Sequence, residues 1–211
     1  MMGVKCFLIV PSDMVERRLR RYTSGDGNPC PRVPGQYSYH DASAAIDRIE
    51  SSFRGLDGEV ASSSVEAWDR TDERWPKACR CNYVFVEDDE WQYSPERLWR
   101  REDTGELLLL RDAPPGAMYD AYWYHAMPEY CGLDGRALIV KLPNGVPWHI
   151  DGCANNCTDQ ADFHRGGHKC WVRHGEPPLI TVDKAGKTCG AGAGSILSGN
   201  YHGFLRQGVF T

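Results

Sequence analysis

The chain has 211 residues, nine of them cysteine, and a formal net charge of −5 from 24 Lys+Arg against 29 Asp+Glu. Nine cysteines fall well short of the roughly 8–10% that marks a disulfide scaffold. The acidic balance argues against a protein that binds nucleic acid by counterion release. A hydrophobic content of 41%, with 22 Gly, 13 Pro, 7 Trp, 10 Tyr and 6 Phe, predicts one loop-rich domain with a modest core. Such a core needs large aromatics and a covalent or coordinate anchor.

Taken in chain order, the apolar run Cys6–Val10 is stopped by Pro11, Ser12 and Asp13. It reads as a first strand rather than an export signal. No segment approaches the ~18 apolar residues of a membrane span. The expected location is therefore cytoplasmic, in a bacterial host cell, with virion association left open. In a reducing compartment the thiols serve metal binding, catalysis or packing rather than bridges.

Ser12 or Asp13 caps a predicted basic helix over 14–22, carrying Arg17, Arg18, Arg20 and Arg21. A Gly/Pro/Asn-rich loop follows over 23–41, then a short predicted helix over 42–54. Residues 51–74 are polar and form a candidate mobile insertion. Pro95 opens a further predicted helix through Arg101, and Thr104-Gly105 turns into a strand over 106–110. The aromatic-dense segment 118–124 reads as a buried helix or a binding surface.

Residues 137–142 and 146–150 form a predicted hairpin around Pro143-Asn144-Gly145, because Asn-Gly supplies the positive φ of a tight turn. A second predicted hairpin runs from 179–182 to 187–189, and a last strand spans 203–210. The resulting class is α+β, strand-dominated in the C-terminal half, with a Cys/His-rich subdomain over 137–211.

Cysteines and histidines group into two candidate zinc sites, since a closed structural site takes four soft or borderline ligands and short spacings let one loop supply two. The first is Cys30, His40, Cys79 and Cys81, in which C-x-C is tighter than the usual pair spacing. The second is Cys157, His168 and Cys170, with a fourth ligand from Cys153, His164, Cys189 or His202 and Cys189 as the working choice. Cys6 and Cys131 remain as packing residues. One or two zinc ions are expected.

Several catalytic motifs fail. Gly186-Lys187-Thr188 lacks the glycine that a phosphate loop needs at position 181, which is Thr. In His164-Arg165-Gly166-Gly167-His168, Arg stands where a metalloprotease has its general-base Glu. His174-Gly175-Glu176 has no downstream P-C-x-x-C to complete a deaminase site. The remaining catalytic candidate is Cys189 with His202, a thiol and a base beside a Gly-rich loop.

The segments Asn156-Cys157-Thr158, 168–178, 191–196 and 201–205 resemble a family of proteins of unknown function carried by tailed bacteriophages and their bacterial hosts. Tyr39-His40-Asp41-Ala42, Cys79-x-Cys81-x-Tyr83-x-Phe85 and 110–118 share the resemblance. The final ~45 residues are also similar to a small bacterial family with Cys/His metal-type positions that sometimes neighbours ubiquitin-like conjugation genes. That family has a cysteine just before the histidine matching His202, where this chain has Gly199-Asn200-Tyr201.

These observations point to a zinc-stabilised, phage-type accessory protein that binds a protein partner and has no catalysis of its own. The alternative is a metal- or thiol-dependent hydrolase using the C-terminal Cys/His cluster. A weaker alternative is a nucleic-acid binder using Arg17 to Arg21 and the Trp/Tyr set, which the net charge disfavours.

Overall fold

The computed structural model describes residues 3–22, 30–32, 39–50, 71, 73, 75–86, 91–154, 157–158, 169–184 and 194–211. Of these, residues 17–22, 39, 41–47, 49–50 and 91–95 are described by backbone alone. Among the described residues fourteen strands follow one another. They are β1 (Val4–Lys5), β2 (Phe7–Tyr22), β3 (Tyr39–Glu50), β4 (Trp91–Arg101), β5 (Leu107–Leu109), β6 (Ala117–Asp120) and β7 (Leu138–Lys141). Then come β8 (Pro147–His149), β9 (Val172–His174), β10 (Thr181–Asp183), β11 (Ile196–Ser198), β12 (Tyr201–Gly203), β13 (Leu205–Arg206) and β14 (Val209–Phe210). The helical segments among the described residues are single 3₁₀ turns at Leu110–Asp112, Tyr122–Tyr124 and Pro128–Tyr130.

The fold is thus essentially all-β, and the predicted α+β class is wrong. The three expected helices at 14–22, 42–54 and 95–101 coincide with β2, β3 and β4. The physical reason lies in strand pairing. In the antiparallel β2–β3 register Glu16 faces Arg48, Arg17 faces Asp47 and Arg20 faces Asp41. Opposite charges directly across an antiparallel pair stabilise it by about 0.2–1 kcal/mol each. The register thus sets Asp47 and Asp41 directly across from Arg17 and Arg20, a placement that strand pairing provides and a helix over 14–22 would not. Glu16, 4% exposed, accepts a hydrogen bond from Arg48 Nε at 3.2 Å.

The chain divides into two compact units, Ser12–Leu98 and Met1–Pro11 with Trp99–Thr211. In the second of these, the sheet order is β5-β4-β2-β6-β7-β8, contributed to by the start of β2 and the end of β4. Phe7 and Leu8 pair in parallel with Ala117 and Met118, and β6, β7 and β8 continue antiparallel. Alternation along this sheet loads both faces. Met118, Leu138 and Val140 join one apolar cluster with Cys6, Ile150, Ile180, Val182, Leu205 and Phe210. Ala117, Tyr119, Ala137 and Ile139 join another with Ile9, Trp99 and Cys131. A strand buried on both faces reads as continuous apolar sequence, as Ala137-Leu138-Ile139-Val140 does.

The expected hairpin over 137–150 is present as β7–β8, with Gly145 at φ +81° and its N–H donating to the Leu142 carbonyl at 2.8 Å. The expected strand over 106–110 is β5, and the turn before it holds Gly105 at φ +76°. The aromatic segment 118–124 is neither a helix nor one element: β6 ends at Asp120 and a 3₁₀ turn takes Tyr122–Tyr124. The predicted strand over 203–210 is instead the hairpin β13–β14, bent at Gln207 (φ +46°) and Gly208 (φ +71°). A second sheet has the order β1-β14-β13-β10-β9, and β11 and β12 form a separate two-stranded hairpin. Within the five-stranded sheet β10 pairs with β9 and β13. The expected partner strand at 187–189, and residues 51–70 of the expected insertion, lie outside the described residues.

Candidate metal centres

Among the described residues, each unit gathers one cluster of metal-type side chains. In Ser12–Leu98, Cys30, His40, Cys79 and Cys81 bring one ligand atom apiece to within 4.8 Å of one another. Three separate segments supply them, and local structure explains the delivery of each. The segment 77–85 folds back on itself: Ala78 bridges Val84, Phe85 N donates to the Lys77 carbonyl at 3.0 Å, and Cys79 N donates to the Tyr83 carbonyl at 2.8 Å. Asn82 sits at φ +72° and donates its N–H to the Cys79 carbonyl. Asn is among the few side chains that adopt this left-handed conformation readily. That turn lets a spacing as short as C-x-C present both sulfurs to one point.

His40, near the start of β3, is 1% exposed and its ring stacks on Tyr83 with centroids 4.1 Å apart and planes 13° from parallel. Its Nδ1 lies 3.2 Å from Cys81 Sγ. Cys30 Sγ lies 3.9 Å from Cys79 Sγ. A Zn–S bond of ~2.3 Å sets the sulfur–sulfur edge of a tetrahedron at roughly 3.8 Å, so this pair already has the spacing of two thiolates on one ion. Arg32 donates to the Arg80 carbonyl at 3.2 Å and so ties the Cys30 loop to the C-x-C turn.

The electrostatics of this centre divide by residue. Burial pushes the Cys79 thiol up to about 11, against a hydrogen bond from the Cys81 backbone. Burial also acts against the Cys81 thiolate, but the Tyr83 backbone N–H and the Cys79 and Cys30 thiols outweigh it and hold Cys81 below its ordinary value. A cation among these sulfurs would favour thiolate at all of them.

In the other unit, Cys153, Cys157 and Cys170 bring their sulfurs within the same 4.8 Å of one another. Cys157 N donates to the Ala154 carbonyl at 3.0 Å, closing the turn that brings Cys157 back toward Cys153. Cys170 precedes β9 and is fully buried; Cys157 is 9% exposed and Cys153 half-buried. Cys153 Sγ and Cys170 Sγ are 3.2 Å apart. Cys157 and Cys170 belong to the main apolar cluster, beside Trp171, which meets Trp148 edge to face at 5.3 Å.

Of the second predicted set, Cys157 and Cys170 come together, and Cys153 stands with them as the third sulfur. His164, His168 and Cys189 lie outside the described residues, and with them any Cys189–His202 contact. His202 Nε2 is hydrogen-bonded to Ser195 Oγ at 3.0 Å and is not part of the gathered cluster. The two remaining cysteines are packed. Burial pushes the Cys6 thiol up to about 12, and Cys131 donates its S–H to the Tyr124 and Met127 carbonyls.

Sequence reasoning did not foresee the ion network next to the second cluster. Arg173 pairs with Asp151 at 3.0 Å and with Asp134, and Arg136 pairs with Asp134 at 2.6 Å and Glu176 at 3.2 Å. Asp151, 5% exposed, also accepts the Leu138 N–H. These residues line a cleft of about 300 Å³ with Lys169, which donates to the Pro128 and Cys131 carbonyls. The cleft's named charges are thus engaged with one another or with backbone. Asp134 and Arg136 share one turn, but Asp151 and Arg173 come from two further, distant segments, so the network as a whole carries no local signal.

Among the described residues, no helix is long and apolar enough to cross a membrane. No protein-family model, no curated protein and no solved structure matches the chain.

Proposed function

We propose that this chain is a zinc protein in which both Cys/His centres are structural, holding a loop-rich all-β fold that serves as an accessory or interaction module. One observation carries the reading: four soft or borderline ligands from three separate segments converge within 4.8 Å. A set of four protein ligands closes a tetrahedral site and leaves no position for substrate. At the second centre the three described ligands are all sulfur. Three thiolates over-compensate a dication, which weakens it as a Lewis acid, whereas characteristic catalytic zinc sites rely on His and carboxylate or on Cys₂His. That chemistry supports a structural role there too and weighs against a metal-dependent hydrolase.

Cobalt substitution tests the metal reading. The expected result is an intense, tetrahedral visible spectrum with thiolate-to-metal charge transfer, saturating at two equivalents. Weak octahedral absorption, or no metal uptake by freshly reduced protein, would overturn it.

A further inference from the structure

We infer that Cys153 and Cys170 form a peroxide-sensitive thiol pair, which oxidises to a disulfide ahead of the buried Cys30–Cys79 pair of the other cluster. The geometry of the two clusters differs in the way such chemistry requires. Cys153 Sγ and Cys170 Sγ are 3.2 Å apart, inside the roughly 3.8 Å edge of a zinc–thiolate tetrahedron. They need to close by about 1.2 Å to reach the ~2.0 Å of a disulfide bond. Cys30 and Cys79 are 3.9 Å apart and both buried, at 3% and 5% exposure. Cys81, the half-exposed residue of that cluster, lies 3.2 Å from the His40 ring nitrogen and also contacts the Cys79 and Cys30 thiols, which leaves Cys30–Cys79 as the pair to set against Cys153–Cys170. In the Cys153 pair the half-buried sulfur is within reach of a small oxidant, and its neighbour Cys170 is fully buried beside it.

The step balances with a hydroperoxide as oxidant. Cys153 Sγ attacks one peroxide oxygen, the O–O bond breaks, and with hydrogen peroxide the first water leaves, giving a sulfenic acid. Cys170 Sγ then displaces the sulfenic oxygen, forming the S–S bond and releasing a second water. Two electrons pass from the sulfurs to the peroxide, and the two thiol protons end in water. Where zinc is bound, it loses two thiolates at once. Release of that ion rests on the zinc reading, but oxidation of the pair does not.

The test uses the full chain, both metal-free and zinc-loaded, exposed to near-stoichiometric hydrogen peroxide, alkylated at intervals and mapped by non-reducing peptide mass spectrometry. The expected result is a Cys153–Cys170 linked peptide in both samples, accumulating about tenfold faster than any Cys30–Cys79 link, in keeping with closer approach and better access. Zinc-loaded protein should release one ion per chain in step with that link, and dithiothreitol should reverse it. A Cys30–Cys79 link formed as fast or faster, a link from Cys153 to Cys157 instead, or sulfinic acid without a link would each overturn the inference. Protein that never takes up zinc would sink the metal reading while the linked peptide still reports on the pair. In Cys170→Ser, a Cys153 sulfenic acid trapped by dimedone without a disulfide is expected; no trapped adduct there would count against Cys153 as the attacking sulfur.

Discussion

The two units bury their centres in different company. In Met1–Pro11 with Trp99–Thr211, Cys157 and Cys170 join an apolar cluster that includes Met118, Leu138, Val140, Ile180, Leu205 and Phe210. A second cluster covers the other face of the same sheet. In Ser12–Leu98, the buried described side chains are Val15, Glu16, Pro76 and Leu98 together with three of the four candidate ligands, Cys30, His40 and Cys79. That unit also carries the molecule's whole negative excess, 12 Lys+Arg against 17 Asp+Glu, while the other is balanced at 12 and 12. The difference teaches where coordination is structurally decisive. A metal centre beside a two-faced sheet adds to a core that exists already, whereas among the described residues of Ser12–Leu98 three of the four candidate ligands are themselves a large part of what is buried.

Removing the metal should separate the two most sharply. Structural zinc binding in small domains is worth about 10–16 kcal/mol. Treatment with a strong chelator should open Ser12–Leu98 to limited proteolysis while cleavage in 99–211 stays slow, as read by mass spectrometry of the fragments. Equal protection of both units after chelation would break the comparison.

Core truncation should act in the opposite unit. Leu138, 1% exposed at the middle of the two-faced sheet, should cost about 2–5 kcal/mol as Leu138→Ala. The measurement is a shift in denaturant midpoint of the signal from Trp148 and Trp171. The metal content of the Cys30 centre should not change.

Two smaller effects sharpen the account. Burial holds the His149 imidazole below its ordinary value, a hydrogen bond with the Tyr130 backbone opposes this, and the Lys169 charge adds to the depression. Its Nε2 is buried without a partner, and its ring lies parallel to Tyr130. As pH falls through about 6.5, the unfolded chain takes up a proton that folded His149 refuses. Stability of this unit should therefore fall by up to about 1.4 kcal/mol per pH unit until the folded value is reached. In His149→Gln that slope should vanish from a pH series of denaturation curves. The smallest effect belongs to Glu16→Gln, which weakens the pair with the half-exposed Arg48 at 3.2 Å and should cost about 1 kcal/mol in chelator-free unfolding.

Much of the second unit was legible because its signals are local. Asn144-Gly145 specifies the β7–β8 turn, and the continuous apolar run 137–140 fits a strand buried on both faces. The Cys30 cluster was legible because ligand type and count survive in the sequence even where distance does not. The error at β2, β3 and β4 has one cause. The charges of 14–22 look like a solvated helix face until Arg48, Asp47 and Asp41 are set across from Glu16, Arg17 and Arg20, and a pairing between separate strands cannot be seen in either strand alone. Cys153 was ranked among four possible fourth ligands although Cys153-x₃-Cys157 already carried the signal; the turn at Ala154 makes that spacing work. The Arg173 network was out of reach, since its carboxylates come from separate turns.

The most direct test is native mass spectrometry of the reduced chain and of Cys79→Ser. The account predicts two zinc ions on the wild-type chain and one on the variant, with Ser12–Leu98 cleaved readily by protease in the variant alone. A wild-type chain without zinc, or a Cys79→Ser chain that keeps both ions and an intact first unit, would contradict it.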